Sequence, residues 1–254
     1  MIPLRYCSIF YAARRKNRQK GRSRMQIEGV QKLTLLDFPG QVACTVFTPG
    51  CNFRCPFCHN ASLVEKAPAE GAQDMEELFR FLQKRRGVLD GVVVTGGEPL
   101  LQQGVDDFLR RVRALGYKTK LDTNGSFPQK LKALLDEGLQ DYVAVDIKNS
   151  PDKYPLTTGC AASFVPQLQQ TIALLAESGV AYEFRTTVVA EHHTEADITA
   201  MGEWIKGAPR WFLQKFVDSG ELICGGLHAA SDEQMQRYLA LAEPFVGHAA
   251  LRGM

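Results

Sequence analysis

Two periodicities alternate along the chain. Short strand-like runs at Val42 to Phe47, Gly91 to Val94, Lys118 to Asp122, Tyr142 to Ile147, Tyr182 to Val189 and Arg210 to Phe216 are separated by stretches with helical spacing. Met75, Leu78, Phe79 and Leu82 fall at i, i+3, i+4 and i+7, and Val105, Phe108, Leu109 and Val112 repeat that face. Leu131, Leu134 and Leu135 give a third face, Leu168, Ile172 and Leu175 a fourth, and Ile198, Met201 and Ile205 a fifth. Met235, Tyr238, Leu239 and Ala242 give a sixth. Sixfold strand-helix alternation predicts an α/β chain with parallel strands and right-handed crossovers. A doubly wound flat sheet and a barrel-like sheet both satisfy it. In either, chemistry gathers at the carboxyl ends of the strands.

The candidate chemistry obeys that rule. Cys51, Cys55 and Cys58 follow the first strand, and Gly96-Gly97-Glu98-Pro99 follows the second. Asp122-Thr123-Asn124-Gly125 ends the third, Asp146-Ile147-Lys148 the fourth, while Arg185 and Gln214 lie in the fifth and sixth. Residues 60–73, with Pro68 and Gly71, and the Gly-rich 218–231 read as connecting loops.

With 254 residues, 45% of them hydrophobic, the chain can bury an ordinary core, which excludes disorder as its main state. No run of 18 apolar residues occurs, so no membrane-spanning helix is expected. The net charge of +2 is unevenly spread. Residues 1–24 hold eight Lys and Arg and no acid, leaving the remainder acidic, which gives no support to nucleic-acid binding. That tail has three readings: upstream codons brought in by a start-site choice, a disordered basic arm, and a targeting segment. The folded domain is expected over residues 25–254.

Seven cysteines in a chain of this size do not suggest a disulfide framework. Three of them lie at C-x3-C-x2-C spacing. A structural zinc site needs a fourth ligand, and His59, directly after Cys58, is awkwardly placed to supply it. Three thiolates on a [4Fe-4S] cluster would instead leave one iron open to a substrate. Cys44 reads as a buried thiol, and Cys160 and Cys224 are too far apart in sequence to suggest a second cluster. His59 and Asn60 read as residues that order the cysteine loop, and His192 and His193 as solvated loop residues.

Leu36-Asp37-Phe38-Pro39-Gly40, Thr48-Pro49-Gly50-Cys51-Asn52-Phe53-Arg54-Cys55-Pro56-Phe57-Cys58-His59-Asn60, Gly-Gly-Glu-Pro and Asp-Thr-Asn-Gly, in that order, resemble the radical S-adenosylmethionine enzymes. Their motif is C-x3-C-x2-C with an aromatic residue before the last Cys. Among them the chain resembles the glycyl-radical-enzyme activating proteins, and most of all those that activate anaerobic ribonucleoside-triphosphate reductase. Phe38-Pro39-Gly40-Gln41 stands where many activases have Gly-Pro-Gly-x-Arg, and Ala190 where the pattern has proline.

The resemblance implies a partial (β/α)6 TIM-like barrel. It implies a [4Fe-4S] cluster on Cys51, Cys55 and Cys58, with S-adenosylmethionine chelating the open iron. Reductive cleavage would yield a 5′-deoxyadenosyl radical that takes hydrogen from a glycine of the partner, with no catalytic side chain assigned beyond the two cofactors. Gly96, Gly97 and Glu98 would meet the methionyl amino group, Lys148 and Arg185 the carboxylate or ribose, and Phe57 the adenine. Asp122, Thr123 and Asp146 would hold a monovalent cation. The implied setting is the cytoplasm, with anaerobic ribonucleotide reductase as the glycyl-radical partner and a flavodoxin- or ferredoxin-type electron donor. Two rivals remain: a radical enzyme for another glycyl-radical protein or a small heterocycle, and a zinc-stabilised binding module.

Overall fold

The computed structural model describes residues 25–65, 74–160, 162–218, 220 and 222–254; the basic tail lies outside them. Eight strands form one sheet in chain order: β1 (Gly29–Thr34), β2 (Ala43–Thr48), β3 (Gly91–Gly96), β4 (Lys118–Thr123), β5 (Tyr142–Asp146), β6 (Ala181–Val188), β7 (Trp211–Lys215) and β8 (Ala249–Arg252). β1 pairs antiparallel to β2, and every later neighbour pair is parallel. The six expected strands are β2 to β7. β1 and β8 extend the sheet at its two edges, and it stays open between them.

The helices are α1 (Ala61–Glu65), α2 (Met75–Lys84), α3 (Val105–Ala114), α4 (Pro128–Asp136), α5 (Tyr154–Thr158), α6 (Val165–Ser178), α7 (Glu195–Trp204) and α8 (Asp232–Ala242). The six helical faces read from spacing belong to α2, α3, α4, α6, α7 and α8. Each buries its apolar stripe, as α2 does with Leu78, Phe79 and Leu82 and α3 with Val105, Phe108, Leu109 and Val112. Capping sets their starts: Asp74 accepts from the Glu76 amide, and reciprocal capping boxes join Thr194 to Asp197 and Ser231 to Gln234.

The outward-facing layer is apolar, with Val92, Val94, Leu121, Val143, Val145 and Phe184 fully buried in one core cluster. Along β4, β5 and β6, period-2 alternation turns Lys120, Asp122, Asp146, Glu183 and Arg185 to the other face, where they pair with one another or with neighbouring side chains. That charged layer carries the site.

Candidate active site

The loop after β2 carries the three cysteines and is tied down on all sides. Gly50 N donates to Leu63 O at 2.7 Å, anchoring the loop to α1, and Cys58 N closes a turn on Cys55 O at 3.1 Å. Arg54 N donates to Thr158 O at 2.8 Å, and the Arg54 guanidinium caps the carbonyls of Cys51 and Phe53. Phe53 is buried against Tyr154 and Phe164, and Phe57 against the rings of His192 and His193. His59 stacks on Phe216 and bonds to Val217 O, so it orders the loop as expected from sequence. The Asn60 amide donates to Gly96 O at 3.1 Å.

The turn after β3 locks onto this loop backbone to backbone. Gly97 N donates to Thr48 O and Glu98 N to Gly50 O, both at 2.8 Å. A Cβ on Gly97 would lie 2.0 Å from Gly50 O, and one on Gly96, where φ is +119°, 2.4 Å from Thr48 N and O. Only glycines permit so close a contact. Glu98 is fully buried, and its carboxylate accepts from Leu100 N, Thr123 Oγ1 and Asn124 N at 3.0, 2.8 and 2.7 Å. Burial raises its pKa to about 7 against the pull of those three donors. The side chain therefore ties β3 to β4 under the cysteine loop.

Asn124 continues that tie. Its amide donates to Asn52 Oδ1 at 2.9 Å and to the Cys51 sulfur at 3.8 Å, while Ser126 fixes its carbonyl oxygen. Burial, with Glu98 adding to it, pushes Cys51 up to about 11; burial pushes Cys55 up to about 12 while Lys148 pulls the other way. Such thiols keep their protons until a metal displaces them.

Across β4, β5 and β6 runs a ladder of alternating charge. The Lys120 ammonium pairs with Asp122 Oδ1, and Asp122 Oδ2 accepts from Arg185 Nη1 at 3.1 Å. Arg185 Nε donates to Asp146 Oδ1, and Lys148 Nζ to Asp146 Oδ2, each at 2.9 Å. Burial alone would raise both carboxyls, but Arg185 with Lys120 holds Asp122, and Arg185 with Lys148 holds Asp146, below the usual carboxylate range. Burial likewise opposes the charge on Lys148, and the Asp146 carboxylate outweighs it. The ladder thus ends at Lys148.

The histidine pair differs from the sequence reading. His193 is 2% exposed, with Nε2 bonded to Lys148 O at 2.9 Å and Nδ1 at the backbone of Val189, and burial holds its pKa below 6.5. It is a core residue that fixes the β5 end, because Tyr238 of α8 closes over it and donates to its carbonyl. His192 is half-buried, its Nε2 enclosed and unpartnered. Cys160 and Cys224, dispersed in sequence, both come to the cysteine loop. Cys160 Sγ reaches Asn52 O at 3.4 Å, and Cys224 N donates to Pro56 O at 3.0 Å. Cys44 is buried, as expected.

The chain matches the radical SAM superfamily over residues 45–205, a span that contains the cysteine loop, the glycine turn and the charge ladder. It belongs to that family. A relative from Methanocaldococcus jannaschii, described as a candidate glycyl-radical enzyme activating enzyme, is 30% identical over 194 residues, 75% of this chain and 79% of that protein. The pyruvate formate-lyase-activating enzyme of Listeria monocytogenes is 32% identical over 155 residues, 55% of this chain and 60% of the enzyme. In fold, the chain superposes on QueE from Escherichia coli with a TM-score of 0.56 at 15% identity, covering 91% of this chain and 94% of that one.

Radical SAM enzymes use a [4Fe-4S] cluster and S-adenosylmethionine, which replaces the zinc-module reading. The residues fit the cluster: three thiols share one tethered loop, in which Cys58 turns back on Cys55 and the Asn124 amide faces the Cys51 sulfur. Among the described residues no three His, Cys, Asp or Glu side chains are gathered tightly enough for a single ion, which a cluster does not require because each thiolate takes a different iron. S-adenosylmethionine is matched by the cationic end of the ladder and by the enclosed His192 nitrogen beside Phe57. The monovalent cation expected from Asp122, Thr123 and Asp146 does not fit. Every carboxylate oxygen of the two aspartates already holds a protein cation, and the Thr123 hydroxyl donates to Glu98 while its oxygen accepts from the Gly125 amide.

Proposed function

We propose that this radical SAM enzyme generates a glycyl radical on a partner protein, and that the partner is an anaerobic ribonucleoside-triphosphate reductase. The observation that carries the activase reading is the similarity to the M. jannaschii relative, which spans three quarters of the chain. The reductase rests on the sequence motifs, chiefly Phe38-Pro39-Gly40-Gln41 in place of Gly-Pro-Gly-x-Arg. The open edge of the sheet supports a macromolecular substrate, since a closed barrel would obstruct an extended loop.

Bound at the cysteine loop, the cluster and S-adenosylmethionine supply reductive S–C5′ cleavage and a 5′-deoxyadenosyl radical able to take hydrogen from glycine Cα. The chain's own residues do the rest. Cys51, Cys55 and Cys58 hold the cluster, and the Gly96-Gly97 lock fixes their loop against β3. Lys148 and Arg185, immobilised by Asp146 and Asp122, present fixed positive charge to the methionyl carboxylate. Gly96 and Gly97 offer backbone to the amino group; the Glu98 carboxylate, bonded to Leu100 N, Thr123 Oγ1 and Asn124 N, ties the turn that follows them to β4. Phe57 backs the adenine side, and Phe53 and Leu100 exclude water. A cytoplasmic setting and a flavodoxin- or ferredoxin-type donor complete the proposal.

The test is anaerobic. Reconstituted, reduced protein is incubated with S-adenosylmethionine and, in turn, an anaerobic ribonucleotide reductase, a pyruvate formate-lyase and a purine-like heterocycle. The expected result is a glycyl-radical EPR doublet with the reductase and matching 5′-deoxyadenosine, both lost in Cys55→Ala. A doublet only with the lyase would move the partner, and turnover only with the heterocycle would overturn the activase reading.

A further inference from the structure

Lys120 is a lysine placed in the interior. It is 1% exposed in the middle of β4, its ammonium pairs with Asp122, and the ring of Tyr142 lies 5.8 Å away. A buried ammonium is costly unless it is paired, and Asp122 supplies the pair. Period-2 alternation puts Lys120 and Asp122 on one face, and the parallel register sets Asp146 beside Arg185. Two carboxylates thereby meet three cations: Lys120 and Arg185 on Asp122, Arg185 and Lys148 on Asp146. All four oxygens are engaged, and Lys148, the last cation of the row, lies two residues from Asp146 at the end of β5.

We infer that Lys120 is a positioning residue that serves as a built-in cation, so that this enzyme binds S-adenosylmethionine without sodium or potassium. Its charge holds Asp122, which orients Arg185; Arg185 holds Asp146, which aims Lys148. Without it Asp122 would have one cation instead of two, and its vacated oxygen would be a hard, anionic ligand suited to a small monovalent ion. The inference rests on S-adenosylmethionine binding and not on which partner is activated.

The experiment measures S-adenosylmethionine affinity of the anaerobically reconstituted enzyme, read from the EPR change of the reduced cluster, in potassium, sodium or tetramethylammonium salts at equal ionic strength. The wild-type affinity is expected to be the same in all three. Lys120→Met is expected to bind roughly tenfold more weakly in tetramethylammonium and to recover in potassium or sodium, as a coupling of ordinary size would give. Lys120→Arg should keep its affinity in all three salts. A merely structural lysine would give a loss that no cation restores. Thermal unfolding of the cluster-free proteins supplies a second reading: the Lys120→Met midpoint should rise in potassium over tetramethylammonium by more than the wild-type midpoint. Wild-type affinity that requires potassium or sodium overturns the inference. So does a Lys120→Met enzyme whose affinity and unfolding ignore the cation. Because the readout is cofactor binding, failure to form a glycyl radical on any given partner leaves this result separate.

Discussion

The side-chain amide of Asn124 lies 3.8 Å from the Cys51 sulfur and is held there by Asn52 and Ser126. A donor fixed on a thiolate stabilises the extra negative charge of a reduced cluster. Asn124→Ala is therefore expected to shift the cluster midpoint potential to more negative values with iron content unchanged. Redox titration followed by EPR checks this, and an unmoved potential would remove Asn124 from the cluster's environment.

Gly97 leaves no room for a side chain. A Cβ there meets the Gly50 carbonyl oxygen at 2.0 Å, so the glycine turn and the cysteine loop must part. Gly97→Ala should cost about 2 kcal/mol or more, an overpacking penalty against backbone, and lower the unfolding midpoint by roughly 4–8 °C. Calorimetry of the variant tests the estimate.

Two buried groups make stability depend on pH in opposite senses. Glu98, raised from 4.5 to about 7, binds its proton more tightly folded than unfolded, so its contribution is full below 4.5 and is lost as pH rises toward 7. His193, lowered from 6.5, contributes above 6.5 and loses that contribution as pH falls through its folded value. Glu98→Gln removes the first effect alone. The variant's unfolding midpoint should fall more steeply than that of the wild type on acidification from about pH 7 to about pH 5. Parallel profiles would count against the raised Glu98 pKa.

Cys160 sits beside the cysteine loop, outside its three-cysteine motif. Its sulfur points to the carbonyls of Asn52 and Thr158, both at 3.4 Å, as a weak donor. Cys160→Ser should keep iron and sulfide at wild-type levels, whereas Ala at Cys51, Cys55 or Cys58 should abolish cluster assembly. Iron and sulfide analysis after reconstitution separates the two classes.

These contrasts mark what a linear reading could reach. β2 to β7 were legible because each is a short strand-like run ending in turn or loop chemistry, as were α2, α3, α4, α6, α7 and α8 with their apolar faces; α1 and α5, five residues each, are too short to show a helical period, and α1 falls where residues 60–73 read as a loop. β1 was not, since Gln31, Lys32 and Leu33 are exposed and show no alternation to read. β8 has four half-buried residues, too short for a pattern. The cysteine loop declared itself through local spacing. Lys120 did not, because a lysine within Lys118-Thr119-Lys120 resembles a solvated strand start until the fold buries it against Asp122, which Arg185 engages from β6. His193 misled through its polar neighbours Glu191 and His192; its burial comes from Tyr238, 45 residues later.

The interlock of Gly97 with Gly50 also bears on inheritance and engineering. Two glycines 47 positions apart meet as complementary surfaces of one joint, so neither can drift in shape alone. A chimera that imports the cysteine loop from another enzyme without its matching glycine turn would bring mismatched halves together. Recombination that moves β2, α1, α2, β3 and the glycine turn after β3 as one block keeps the joint whole, and residues 43–98 are the smallest stretch that carries both of its halves.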